Sequence, residues 1–164
     1  MALVIEDGSI VPGAESYATA AELVTYAANF GRTIPDDILT QEALLRRAAL
    51  QMESLPWKGQ ATYSTQSLAW PRGGVCRQRW EIPANVIPPQ IKAGQMALAT
   101  EIYADDLVDP ATKQGAIVSE TVGPISTTFA SASTIVTKAA AIRQSYAQFT
   151  GLVEASSQVK LSRS

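Results

Sequence analysis

Apolar residues recur at helical spacing in four stretches of this chain and at strand spacing in one. In the first stretch Leu23, Ala27 and Phe30 step by four and three behind Thr19-Ala-Ala-Glu22. That tetrad is a capping-box pattern, in which the Thr and Glu side chains each satisfy the other residue's free backbone N–H. Ser16 competes as the N-cap and Gly31 stops the run, so the pattern predicts a helix over about residues 17–30. The second starts at Ile34-Pro35-Asp36-Asp37 and carries an apolar stripe of Leu44, Ala48, Met52 and Leu55, with Arg46, Arg47 and Glu53 off it. Pro56 ends it, having no N–H and clashing with the preceding turn. The third opens at Pro88-Pro89, where proline suits a first helical turn. It aligns Ile91, Leu98 and Ile102, with Gly94 and Gln95 nearby and Tyr103 flanking, and ends at Asp105-Asp106 and Asp109-Pro110. The fourth covers residues 134–150, where Ile135, Ala139, Ile142, Tyr146, Phe149 and Val153 form a narrow seam and Gly151 caps the end. The seam either completes the monomer core, the favoured reading, or meets a neighbour.

Residues 115–130 alternate and are β-branched, and Gly123-Pro124 fits a tight reversal, which predicts a β-hairpin. Residues 2–15 read as two short extended pieces around turns at Asp7-Gly8 and Pro12-Gly13. Residues 56–88 read as a long loop bearing Trp57, Tyr63, Trp70, Pro71 and Trp80; such a loop in a compact domain is functional or packed on itself. The expected fold is mainly α: a four-helix bundle-like domain over residues 1–154, with one β-hairpin and a long Trp-containing loop. Residues 155–164 are expected to be a flexible C-terminal arm.

Composition adds two things. The chain has 164 residues, enough for one core, and is 46% hydrophobic but only 17% charged, which points to faces covered by neighbours. Charge is also unevenly spread. Residues 1–133 hold nine Lys/Arg against fourteen Asp/Glu, whereas residues 134–164 hold Lys138, Arg143, Lys160 and Arg163 against Glu154 alone. A basic end on an acidic body reads as a docking arm. The single cysteine, Cys76, rules out an intrachain disulfide. MALVIEDG has too short an apolar run for a signal peptide, and no membrane-spanning run is expected.

Candidate chemistry is sparse. Without histidine the usual general base and the commonest metal ligand are missing, so Ser-His-Asp and ordinary zinc sites are not expected. Asp36-Asp37 and Asp105-Asp106 could hold a hard cation, but each sits at a helix end. The first pair suits a helix N-terminus and the second a solvated end. Cys76 lies between Arg72 and Arg77, cations that could lower a thiol pKa, though a lone loop cysteine reads first as a small residue. No enzyme activity, metal or cofactor is expected. The stretch SLAWPRGGVCRQRW, residues 67–80, is the strongest signal. Lys58, Arg72, Arg77 and Arg79 could meet phosphates, and Trp57, Tyr63, Trp70 and Trp80 could stack on bases. Alternatively the tryptophans pin the loop to the bundle and the arginines meet carboxylates or carbonyls, and the acidic body favours this.

Taken together, Val4-Ile5-Glu6-Asp7-Gly8, Val11-Pro12-Gly13-Ala14, Ser16-Tyr17, Trp57-Lys58-Gly59, Gln66, Leu68-Ala69-Trp70-Pro71-Arg72, Gly74-Val75, Ile87-Pro88 and Lys92-Ala93 resemble the head–tail adaptor (connector, or head-completion) proteins of tailed bacteriophages. A hairpin with a central Val-Gly-Pro is similar too. Relatives of this kind often carry the label of DnaT-like single-stranded-DNA-binding proteins. The resemblance covers roughly residues 3–130. It implies a small helical virion protein, in the host cytoplasm during assembly, that forms a homo-oligomeric, dodecameric ring beneath the portal protein. The ring would enclose double-stranded DNA without reading its sequence and offer a surface to a downstream connector or tail-completion protein. On that reading Trp57, Lys58, Trp70, Arg72, Arg77 and Arg79 form a ring or tail-side contact loop. Val159, Lys160, Leu161 and Arg163 form a portal-docking arm. The rival expectation is a single-stranded DNA-binding module using residues 57–80.

Overall fold

The computed structural model describes residues 2–107, 119–122, 125–128 and 143–154, and only the backbone of the strands within 119–128. In chain order the elements are α1 (Ala20–Asn29), α2 (Ile38–Glu53), β1 (Gln60–Ala61), β2 (Arg72–Gly73), β3 (Cys76–Arg77), β4 (Trp80–Glu81), α3 (Pro89–Asp106), β5 (Ser119–Val122), β6 (Ile125–Thr128) and α4 (Gln144–Phe149).

Local capping chemistry sets the helix starts. The Thr19 hydroxyl accepts from the Glu22 N–H at 3.2 Å and Glu22 Oε2 accepts from the Thr19 N–H at 2.7 Å, so Thr19 rather than Ser16 caps α1. The helix therefore begins after residue 17, because Ser16, Tyr17 and Ala18 are bonded elsewhere. Asp37 caps α2, accepting from the Thr40 N–H at 2.9 Å and hydroxyl at 2.8 Å. The expected stripe Leu44, Ala48 and Met52 is buried and is widened by Leu45 and Ala49; Leu55 lies beyond the helix end.

The central element is α3, which touches α1, α2 and α4. It is buried on nearly every side, as a helix surrounded by others must be. Phe149 of α4 lies against Gly94 of α3, where any Cβ would run into the phenyl ring. Beyond α4, Leu152 is fully buried and Val153 forms a bridge with Trp57. The start of α4 is tied to α3: the Ser145 N–H and hydroxyl donate to Glu101 at 3.1 and 2.7 Å. The part of the expected fourth helix before residue 143 lies outside the described residues.

Two expectations change. The 56–88 segment is not an unstructured loop. β1 pairs antiparallel with β2, Gln60 opposite Gly73, and β3 with β4, Cys76 opposite Glu81 and Arg77 opposite Trp80. Gly59, at φ +71°, has no Cβ to block the Gly73 carbonyl that closes on it. The expected hairpin is present as β5–β6, pairing Ser119 with Thr128 through to Val122 with Ile125; its Gly123-Pro124 reversal lies outside the described residues. The described residues thus hold three two-stranded sheets, not one hairpin. Residues 2–15 run as short extended pieces with a bend at Gly8-Ser9 and a turn at Pro12-Gly13, and one parallel bridge joins Ile5 and Ser16. The result is a small, helix-leaning mixed domain. α4 spans six described residues, too few to cover a bundle along its length.

Candidate functional site

The aromatic–basic segment divides into an inward half and an outward half. Trp57 and Trp70 face inward. The Trp57 indole N–H donates to the Met52 carbonyl at 2.8 Å, and its ring meets Trp70 and Phe149 edge-on, with centroids 5.9 and 5.1 Å away. Trp70 is 0% exposed, precedes a cis Pro71, and donates its backbone N–H to the Tyr17 hydroxyl at 3.0 Å. Neither indole offers a face to a base or to another protein, which corrects their expected place on a contact surface. They are core residues because the short β1–β2 pairing folds the segment back over α2.

Arg72 is also turned inward. Its guanidinium donates to the carbonyls of Lys58 at 2.8 Å, Gly59 at 2.8 Å and Ala69 at 3.3 Å. It works as a clasp closing residues 57–72 and is not available as a free phosphate contact. Glu53 accepts from the Ala69 N–H at 2.8 Å, and burial of its carboxyl there pushes its pKa up.

The outward half is the β3–β4 hairpin and its surroundings. Trp80 is 81% exposed and Tyr63 is 60% exposed. Arg77 is half-buried and Arg79 exposed. Lys58, half-buried, donates to the Gly151 carbonyl at 2.9 Å. Lys58, Cys76, Arg77, Gln78 and Thr150 line one open cleft of about 500 Å3 between the hairpin and the end of α4. Sequence spacing could not reveal this cleft, because Thr150 and Gly151 come far later in the chain.

The other candidate residues fall elsewhere. Asp36-Asp37 supplies the α2 cap. Asp105-Asp106 is not simply solvated: Arg47 grips Asp106, and Arg143 lies 3.5 Å from Asp105. Among the described residues no cluster of three or more metal-ligating side chains occurs. Val159, Lys160, Leu161 and Arg163 lie outside the described residues. No helix among the described residues is long and apolar enough to cross a membrane.

Two buried polar hubs have no counterpart in the sequence reading. The carboxylate of Glu6, 0% exposed, accepts from the N–H groups of Gly8, Ile10 and Val11 at 2.8–3.0 Å. Gln95, also 0% exposed, accepts from the N–H groups of Tyr17 and Ala18 and donates to Ser16 Oγ and the Leu45 carbonyl, at 2.9–3.1 Å. Its full set of bonds joins α3, α2 and the N-terminal segment. The available signal was a polar residue in the middle of an apolar helical face.

A family model described as "Putative DnaT-like ssDNA binding protein" matches residues 1–164. The chain belongs to that family. The match spans the inward-facing aromatic segment and the outward hairpin alike. No curated protein and no solved structure matches the chain.

Proposed function

We propose that this member of the DnaT-like family is a structural subunit of a tailed-phage head–tail junction, an adaptor forming a ring beneath the portal. The observation that carries the reading is a division of labour among its apolar side chains. The Trp-Pro-Arg segment is spent on internal packing, while α2 turns Ile38, Leu39 and Leu50 outward at 62%, 68% and 73% exposure. Leu39, Ala43 and Leu50 share one side of the helix with Arg46, whose guanidinium turns to Glu15 and Glu42. In a chain only 17% charged, such a face calls for a protein neighbour. The partners are copies of itself, the portal protein and a tail-side connector, with residues 155–164 as the docking arm. The subunit acts by shape, around duplex DNA, with no cofactor. Electron microscopy of the protein mixed with portal-bearing capsids tests this; added ring density beneath the portal is expected, and bare portals would sink it.

A second reading is a single-stranded DNA-binding module using residues 57–80. The family's description favours it, and speaks for it more directly than for an adaptor. Anisotropy of a labelled single strand, measured across a salt series, tests it. Affinity that falls steeply with salt is expected, and no measurable binding in dilute buffer would end it.

A further inference from the structure

We infer that the cleft between the β3–β4 hairpin and the end of α4 binds the phosphodiester backbone of DNA, with Arg77 and Lys58 as its cations. The polar side chains lining it are donors: an ammonium, a guanidinium, a primary amide, a hydroxyl and a thiol. Among the described residues no carboxylate lines it. Glu81, the hairpin's own acid, pairs with Cys76 across the strands and is not among the described residues that line the cleft.

The other arginines among the described residues are spoken for. Arg46 meets Glu15, Arg47 meets Asp106, Arg143 meets Asp105, Arg32 bonds Gln144 and Arg72 bonds carbonyls. Arg77 and Arg79, among the described residues, have no such partner. Lys58 gives one N–H to Gly151 and retains two. Among the described residues, this cleft therefore brings a guanidinium without a carboxylate, amide or carbonyl partner together with an ammonium that has N–H groups to spare.

The hairpin also supplies a platform. Gln78 and Arg79 form its two-residue turn with φ of 52° and 72°, the left-handed pair that matches strand twist. That turn sets Trp80 directly opposite Arg77, so both side chains leave on the same face. An open indole beside a guanidinium suits a base stacked next to its own phosphate, which favours an unpaired strand over duplex. The inference rests on the second reading above, the single-stranded DNA-binding module. It assigns the DNA contact to residues other than the buried Trp57, Trp70 and Arg72.

The test is fluorescence anisotropy of the full chain with labelled oligo-dT and, in parallel, a labelled duplex, over a salt series. Each phosphate contact on a single strand contributes about 0.7 to the slope of log affinity against log salt. Arg77→Gln with Lys58→Gln is expected to flatten that slope by about 1.4 and to weaken binding roughly ten-fold or more in dilute buffer. Because Lys58 also bonds Gly151, Arg77→Gln alone is the second variant; a change of about 0.7 with an unaltered thermal melt supports the site. Trp80→Ala is expected to weaken oligo-dT binding and leave its salt slope unchanged. Arg77-dependent binding supports the inference with either probe, and the preferred probe identifies the strand form. Binding by the intact protein that ignores both substitutions overturns the site and leaves DNA binding standing. No binding of either probe overturns the site and DNA contact together. Arg77-dependent capture of polyglutamate, without either oligonucleotide, overturns it in favour of an acidic protein surface.

Discussion

Replacing Gln95 with Leu would remove a side chain that is fully buried and makes four hydrogen bonds. The shape is nearly kept, so the cost is mainly that of broken polar contacts. The four partners do not suffer equally. The Ala18 N–H still has Ser16 Oγ at 3.2 Å, and Ser16 Oγ still has the Ala18 carbonyl at 2.7 Å. The Tyr17 N–H has only Gln95, at 2.9 Å, and would be left buried without a partner. An orphaned donor of that kind costs about 1–3 kcal/mol, and each of the other lost bonds about 0.5–1.5 kcal/mol. With some return from the more apolar side chain, the expected loss is about 3–5 kcal/mol, a large share of a small domain's stability. Urea unfolding followed by tryptophan emission measures it, since Trp57 and Trp70 report the core. The denaturant slope should stay constant, and hydrogen exchange at the Tyr17 amide should speed up. A loss below about 1 kcal/mol, or a Tyr17 amide as protected as before, would refute the assignment of Gln95 as the tie between α2, α3 and the N-terminal segment.

Gly94→Ala should push Phe149 off α3 at a cost of about 1–3 kcal/mol, visible as a changed Trp57 emission; an unaltered spectrum and midpoint would contradict the Gly94–Phe149 contact. Arg72→Ala should open residues 57–72 to limited proteolysis and cost about 1.5–3 kcal/mol, while leaving oligonucleotide affinity close to that of the intact protein. Equal loss of affinity in Arg72→Ala and Arg77→Gln would dissolve the division into clasp and cleft. Glu53→Gln should raise the urea midpoint at pH 7, because burial holds the Glu53 carboxyl above its ordinary 4.5 and its ionised form weakens the fold. That gain should vanish as pH falls below about 4.5, where the carboxyl is protonated in both folded and unfolded chains. Asp37 and Asp106 run the other way. Their bonds to Thr40 and Arg47 hold them below the usual range, so the stability they add is lost as acid protonates them.

Local chemistry was readable in the sequence because each signal acts within a turn or two of the chain. The Thr19–Glu22 box, the Asp37 cap, the prolines at 56 and 88–89 and the apolar stripe of α2 all involve residues close enough to meet without tertiary help. The alternation across 115–130 marked its hairpin for the same reason. Identity, spacing and the acidic body could narrow the 57–80 segment to packing or contact and favour packing, without assigning either role residue by residue.

Tertiary structure decided which residues do which. Trp70 and Trp80 are the same side chain ten positions apart, yet one is fully buried and the other 81% exposed. Arg72 and Arg77 are both arginines in one short stretch, yet only the first meets a ring of carbonyls, because the β1–β2 pairing brings Lys58 and Gly59 back beside it. Burial and hydrogen-bond satisfaction depend on what the rest of the chain places around a group, and here those neighbours come from residues 16–17, 45, 58–59 and 149–153. The sequence determined where helices start and stop and what chemistry was on hand. Only the folded chain determined which of those groups were used up inside and which were left facing out.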